Sequence, residues 1–148
     1  MSRVAIMTDS ASDLPASTAA RAGIVVVPLE VSFGEERFTA GVDLTTEDFW
    51  KRMTAPDAPF PKTAAASAGQ FRTAYDEAFA AGADAVVCIT VAGTLSGTLK
   101  SASIARDDLK ADQPERKRAH MVPQSLARRR DAVSSPSPHK SASSRPAG

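Results

Sequence analysis

Cysteine, histidine and the larger aromatics are scarce in this chain of 148 residues, which holds one Cys, two His, one Trp and one Tyr. A single cysteine excludes an internal disulfide and fits a reducing cytoplasm. Cys88 also lies within an apolar run, where a thiol acts as a small core hydrophobe and burial makes it a poor nucleophile. Both histidines, His120 and His139, fall beyond residue 110. Residues 1–110 therefore offer no imidazole base and no Cys/His set for a metal. Neither a Gly-rich dinucleotide loop nor a Walker motif is present, which excludes nucleotide-fold enzymes of those kinds. No apolar run reaches the length that spans a membrane, and mean hydropathy is −0.19. The first apolar stretch, Val4 to Met7, stops before Asp9 and is too short for the core of a secretory signal.

What is present is a chain of two unlike parts. Its 43% hydrophobic content and its length suffice for one domain with a sizeable core. The net charge of +1 hides an asymmetry. Residues 111–148 carry eight Lys/Arg against three Asp/Glu, a net of +5, and residues 1–110 carry ten against fourteen, a net of −4. The basic part has seven Ser and five Pro but no Ile, Phe, Tyr or Trp. Such a composition buries too little apolar surface to fold. The expected organisation is a domain over 1–110 followed by a disordered, basic C-terminal tail over 111–148.

Along the domain, Val4 to Met7 reads as a strand that runs into Thr8-Asp9-Ser10-Ala11-Ser12-Asp13-Leu14-Pro15. Asp13 or Ser12 can cap the helix that follows, from Ala16 to Ala22, with Gly23 ending it. Asp9 and Ser10 either line a pocket or only order this turn. Ile24 to Val27 is a β-branched strand that Pro28 must interrupt, and Leu29 to Phe33 alternates as a half-exposed strand. Phe38 to Ala40 is placed to pair back as a hairpin. Thr45 and Asp48 resemble a capping box for a helix whose Phe49, Trp50 and Met53 have the spacing of packing residues. Residues 55–66, with three prolines, read as an extended loop. Ser67 and Gln70 form a Ser-x-x-Gln capping box at the head of a helix with Phe71, Ala74, Tyr75, Ala78 and Phe79 on one face. This order, β-α-β-(β)-α-α-β-α, predicts an α/β fold with a mostly parallel sheet and helices on both faces.

The chemistry concentrates in Ala85 to Thr98, AVVCITVAGTLSGT. Its unbroken apolar start predicts a parallel strand buried on both faces. A small-residue turn and a helix from Gly97 to Lys110 follow. Ligands of α/β sheets bind at such corners, where N–H groups and hydroxyls converge beyond the strand ends. Ser96 and Thr98 supply hydroxyls, and Gly93 and Gly97 permit close approach of the backbone. Ser96 has a second reading as a mere helix cap.

These stretches together resemble the N-terminal domain of the DegV family of bacterial fatty-acid-binding proteins. The likeness runs from Val4 to Leu109. It rests on Met7-Thr8-Asp9-Ser10-Ala11-Ser12-Asp13-Leu14-Pro15, on Ile24-Val25-Val26-Val27-Pro28-Leu29, on Pro61-x-Thr63 before the Phe71 helix, and above all on Leu95-Ser96-Gly97-Thr98. The resemblance implies a two-domain α/β protein that buries one long-chain fatty acid, with the carboxylate held near Thr63 and Ser96. Asp9, Ser10, Gly97 and Thr98 are then candidate pocket-lining residues, with no catalytic residue, no metal and no cofactor beyond the bound lipid. It further implies a cytoplasmic carrier that presents the acyl carboxylate to a separate ATP-dependent fatty acid kinase for phospholipid synthesis.

The chain departs from the family pattern in two places. The proline-rich loop, usually Thr-Ser-Gln-Pro-Ser in the family, is here Thr63-Ala64-Ala65-Ala66-Ser67, and two serines usual before Leu95 are Ala92-Gly93. The second departure is the end. The family continues into another strand and a whole second domain, whereas 111–148 matches neither. The expectation is a truncated form with an out-of-frame end, and His120-Met121-Val122 falls near the missing strand. Two other functions fit parts of the sequence. One is a small α/β hydrolase using Ser96, although Ser96 lacks both a histidine within 1–110 and the Gly-x-Ser-x-Gly context. The other is a basic-tailed nucleic-acid-binding protein, which the acidic body opposes.

Overall fold

A computed structural model of the chain describes residues 2–114 and 119–123. The elements in order are β1 (Val4–Asp9), α1 (Ala16–Ala22), β2 (Ile24–Val27), β3 (Glu30–Phe33), β4 (Glu36–Thr39), α2 (Thr46–Met53), β5 (Lys62–Ala64), α3 (Ala68–Ala80), β6 (Ala85–Thr90), α4 (Thr98–Asp112) and β7 (Ala119–Pro123). They build two sheets. Sheet A is parallel throughout, in the order β2-β1-β6-β7, and sheet B is antiparallel, in the order β4-β3-β5. Pro28 divides them, since it cannot donate to a ladder: Ile24–Val27 joins sheet A and Glu30–Phe33 joins sheet B.

The core follows from the register of sheet A. Met7 lies level with Val25 on one side and Cys88 on the other, and alternate residues share a face. Met7, Val27, Val86 and Cys88 pack under Phe71, Tyr75 and Phe79 of α3 and Ala102, Ala105 and Leu109 of α4. The alanines of α4 let the two helices lie close on the sheet. Right-handed crossovers put α1, which packs beside β2, on the opposite face. That face is thinly covered. Val86, Cys88 and Thr90 are fully buried, while Ala85, Val87 and Ile89 are half-buried, and so are Ile6, Ile24 and Val26. The apolar run of β6 is therefore buried on one face, not both. Continuous hydrophobicity reports that both faces are apolar but not how much lies on each.

Sheet B and α2 share a small second core of Val31, Phe33 and Leu44, flanked by Phe38, Ala40 and Phe49. Phe49 sits 5.7 Å from Phe33, ring to ring, as its helical spacing predicts. The Arg52 guanidinium lies 4.5 Å over Phe38 and 2.7 Å from Glu36. Trp50 touches Phe49 edge-on but remains 55% exposed, and Met53 is also exposed.

Local signals hold to different degrees. The Ser67–Gln70 capping box is complete, with Gln70 N–H donating to Ser67 Oγ at 3.2 Å and Ser67 N–H to Gln70 Oε1 at 2.9 Å. At α2, Thr45 Oγ1 accepts from Asp48 N–H and donates to Asp48 Oδ2, so the return bond goes to the hydroxyl instead of the backbone. Neither Ser12 nor Asp13 caps α1. A 3₁₀ turn over Ser10–Ser12 intervenes, Asp13 closes it in a left-handed conformation, and α1 starts after Pro15 without a side-chain cap. Within the proline-rich loop, Lys62–Ala64 forms β5 against β3. A three-residue exposed strand has no periodicity to announce it.

The boundary at residue 110 shifts as well. Helix α4 runs to Asp112, and Ala119–Pro123 pairs in parallel with β6, placing His120 level with Val87. The composition of 111–148 conceals this strand, because five residues of Ala-His-Met-Val-Pro are averaged into Ser, Pro and Arg. The remainder of the expected tail, 115–118 and 124–148, lies outside the described residues.

Candidate site at the carboxyl ends of sheet A

Three strand ends are drawn together by the side chains of Asp9, the last residue of β1, and Ser10, which follows it. Asp9 is 1% exposed. Its Oδ1 accepts from Ala11 N–H at 2.9 Å and its Oδ2 from Val91 N–H at 3.3 Å, which ties the end of β1 to the end of β6. Ser10 Oγ accepts from Leu29 N–H at 2.9 Å, reaching across to the link between β2 and β3. Both carboxylate oxygens of Asp9 thus face backbone donors of the protein itself. This geometry orders the corner.

The turn that leaves β6 is a single tight loop. Ala92 C=O accepts from Leu95 N–H at 2.9 Å and from Ser96 N–H at 3.2 Å. Ser96 Oγ then stands 2.8 Å from Thr98 Oγ1 and accepts from Thr98 N–H at 3.3 Å. Thr98 is fully buried and Ser96 half-buried. Two hydroxyls carry two protons, and one bond between them consumes only one. One O–H therefore remains to be donated, polarised by the hydrogen bonds its partner already makes. Beside it, the N–H groups of Leu99 and Lys100 have no intrahelical acceptor by position, and the positive end of α4 adds a favourable field for an anion. Ser96 accepts from the first N–H of α4 from one position before the N-cap, which is Gly97 and carries no side-chain cap. That bond leaves the pair with a proton to spare.

The glycines divide. An added Cβ on Gly97 would meet open space, as an approach by a ligand requires, whereas at Gly93 the space is filled by Leu99 of α4. Thr63 is brought to β5, level with Val31 of sheet B. It is exposed, and no hydrogen bond among the described residues joins it to Ser96 and Thr98. Sequence reasoning passed over Thr90 and took Ser12 only as a cap; the buried hydroxyl oxygens of both have no hydrogen-bond partner, and the end of an apolar run marks Thr90 only in retrospect. A cavity of about 280 Å³ opens at the other end of the strands, among Arg3, Ala22, Ala78 and Ala81. Among the described residues no three His, Cys, Asp or Glu side chains cluster as a metal site would need, and no helix is long and apolar enough to cross a membrane.

Cys88 and Tyr75 lie beneath this corner. Burial pushes the Cys88 thiol up to about 11, partly offset by its hydrogen bond with Tyr75. Burial also raises the Tyr75 phenol, with the nearby thiol adding to the effect. Both groups stay neutral and serve the core.

Known proteins share this fold. A DegV domain-containing protein of Caldanaerobacter subterraneus subsp. tengcongensis is 36% identical over 107 residues, which make up 72% of this chain and 37% of that protein. Among solved structures, a fatty acid (stearic acid)-binding protein of Eubacterium ventriosum superposes with a TM-score of 0.72 at 31% identity, over 82% of this chain and 41% of that one. A fatty-acid-binding DegV family protein of Thermus thermophilus superposes with a TM-score of 0.68 at 34% identity, again over 82% and 41%. The chain thus spans about two fifths of the length of these relatives. A family model described as uncharacterised protein, DegV family, matches residues 3–125, reaching through β7, and the chain belongs to the DegV family.

Proposed function

We propose that this chain binds a long-chain fatty acid by its carboxylate, as the head-group side of a carrier. The observation that carries the reading is the Ser96–Thr98 hydroxyl pair at the start of α4, 2.8 Å apart and holding one undonated proton beside free helix N–H groups. A carboxylate in an apolar cavity needs several such donors, because an unpaired buried charge is costly. Gly97 leaves room for it, and Thr63 supplies a further hydroxyl from β5. Two solved relatives whose identity to this chain exceeds 30% are themselves described as fatty-acid-binding proteins.

The chemistry is binding, not turnover. Ser96 Oγ is engaged by Thr98 and has no imidazole partner among the described residues, so nothing there would take its proton as a triad base does. The partner that the family resemblance adds is a fatty acid kinase, to which the bound carboxylate is presented. The setting we assign is the cytoplasm, where the lone buried Cys88 stays reduced. An acyl chain needs apolar walls on most sides.

The test is extraction of the natively purified chain with organic solvent, with mass spectrometry of the extract, followed by titration with stearic acid. Retained fatty acid is expected. Ser96→Ala and Thr63→Ala should each weaken binding about tenfold, the worth of one charge-assisted hydrogen bond. A folded chain that neither retains nor binds fatty acid overturns the proposal. Ester hydrolysis that disappears in Ser96→Ala assigns the site to a hydrolase instead.

A further inference from the structure

Resting on that reading, we infer that Asp9 and Ser10 are positioning residues, each holding one of the two hydroxyl arms of the carboxylate site. Asp9 holds the Ser96–Thr98 arm of sheet A, and Ser10 holds the Thr63 arm of sheet B. The two are neighbours in the chain, yet their side chains reach backbone N–H groups 82 and 19 positions away. Asp9 lies level with Val27, the last residue of β2, so both grips fall where sheet A ends and the arms begin.

The Asp9 arm is a continuous run of bonded groups. Oδ2 accepts at 3.3 Å from the N–H of Val91, the first residue beyond β6. Ala92 C=O then accepts from the N–H groups of Leu95 and Ser96, and Ser96 Oγ bonds both the hydroxyl and the N–H of Thr98. The other oxygen, Oδ1, accepts from Ala11 N–H at 2.9 Å. Asp9 is 1% exposed, so bulk water cannot replace either bond. A carboxylate suits the place because it offers two acceptors. An amide offers one, and its NH₂ would face an N–H. Asp9→Asn must therefore release Ala11 or Val91.

The Ser10 arm starts at the break between the sheets. Pro28 has no N–H, so Leu29 is the first donor after β2, and Ser10 Oγ accepts from it at 2.9 Å. Leu29 C=O accepts from Ala40 N–H at 2.9 Å, which fixes the residue from its other side. Two residues on, Val31 of β3 pairs with Thr63 of β5. Ser10 thus acts on Thr63 through β3, as Asp9 acts on Ser96 through the loop after β6. Hydrogen bonds to one carboxylate tolerate only about half an ångström of misplacement, so the separation of the arms matters as much as the hydroxyls themselves. With their acceptor atoms engaged by backbone, Asp9 and Ser10 need not touch the ligand.

The test is a set of double-variant cycles on the full chain, read as binding of stearic acid against methyl stearate. Ser10→Ala should weaken the acid about fivefold and leave the ester within about twofold. Ser10→Ala/Thr63→Ala should bind the acid within about twofold of Thr63→Ala alone, because a positioning residue has nothing left to position. Ser10→Ala/Ser96→Ala, which strikes both arms, should lose about fiftyfold, the product of the single losses. Asp9→Asn should show the opposite preference, non-additive with Ser96→Ala and multiplicative with Thr63→Ala. Losses that multiply within each arm, or that are equal for acid and ester, overturn the inference. Should Asp9→Asn fail to fold, the Ser10 cycles decide, and multiplicative losses of Ser10→Ala with Thr63→Ala overturn it. A folded wild-type chain that binds no stearic acid overturns the carrier reading, and the inference with it; a wild type that binds, with additive cycles, overturns the inference alone.

Discussion

At the scale of single residues, buried groups with a fixed protonation state say more than exposed ones. Cys88 has a thiol near 11 in the fold against an ordinary value near 9. The unfolded chain therefore ionises first. The stability tied to the neutral thiol is fully present below about pH 9 and is lost as pH rises from there toward 11, to the extent of about 2–3 kcal/mol. Tyr75, also raised, acts in the same direction at higher pH. Urea unfolding at pH 8 and at pH 10.5 should show the midpoint falling, and the fall should be smaller in Cys88→Ala. A midpoint equal at the two pH values would mean that the thiol is solvated. Asp9 and Ser10 show the limit of sequence at this scale. Their residue types mark a strand-end loop rich in acceptors, but the partners at Val91 and Leu29 are 82 and 19 residues away and are known only from the fold.

Among the elements, the most legible were those with strong local terms. The capping box at Ser67, the left-handed Gly23 that ends α1 and the Pro28 break all stand where the sequence puts them. Ser67→Ala removes an acceptor that α3 uses, and should cost about 1 kcal/mol. Thermal unfolding monitored by circular dichroism should show the melting temperature falling by a few degrees; an unchanged value would place the stability of α3 entirely in its packing. Elements fixed by their partners were harder to see. β5 exists because β3 offers an edge to Lys62–Ala64, and β7 because β6 offers one to Ala119–Pro123. Neither has the periodicity or length to be found alone. The expected cap of α1 by Asp13 or Ser12 failed for a related reason, since both belong to the 3₁₀ turn between β1 and α1, which Asp13 closes, and α1 begins only after Pro15.

For the whole molecule, the two sheets divide the labour. Sheet A with α3 and α4 holds the main core and presents Ser96 at its carboxyl end, and sheet B with α2 holds a second core and carries Thr63. A ligand bound to this folded state must stabilise it. With free stearic acid at about a hundred times its dissociation constant, the gain is about 2.7 kcal/mol. Calorimetry should then show the melting temperature rising by about 10 °C. Methyl stearate, which lacks the carboxylate, should leave it nearly unchanged. Equal shifts for acid and ester would mean that the acyl chain, not the head group, is recognised.

The sequence by itself determined the α/β class, the parallel strands Val4–Met7, Ile24–Val27 and Ala85–Thr90, and the corner at Ser96. Each of these is written in neighbouring residues, through apolar runs, glycines, prolines and capping side chains whose energies act over a few positions. Only the tertiary structure decided which face of β6 is deeply buried, that residues 119–123 extend the sheet, and that Asp9 clamps the loop after β6. Those are contacts between side chains and backbone brought together by sheet order and helix packing. Their energies belong to pairs of positions that no local pattern relates.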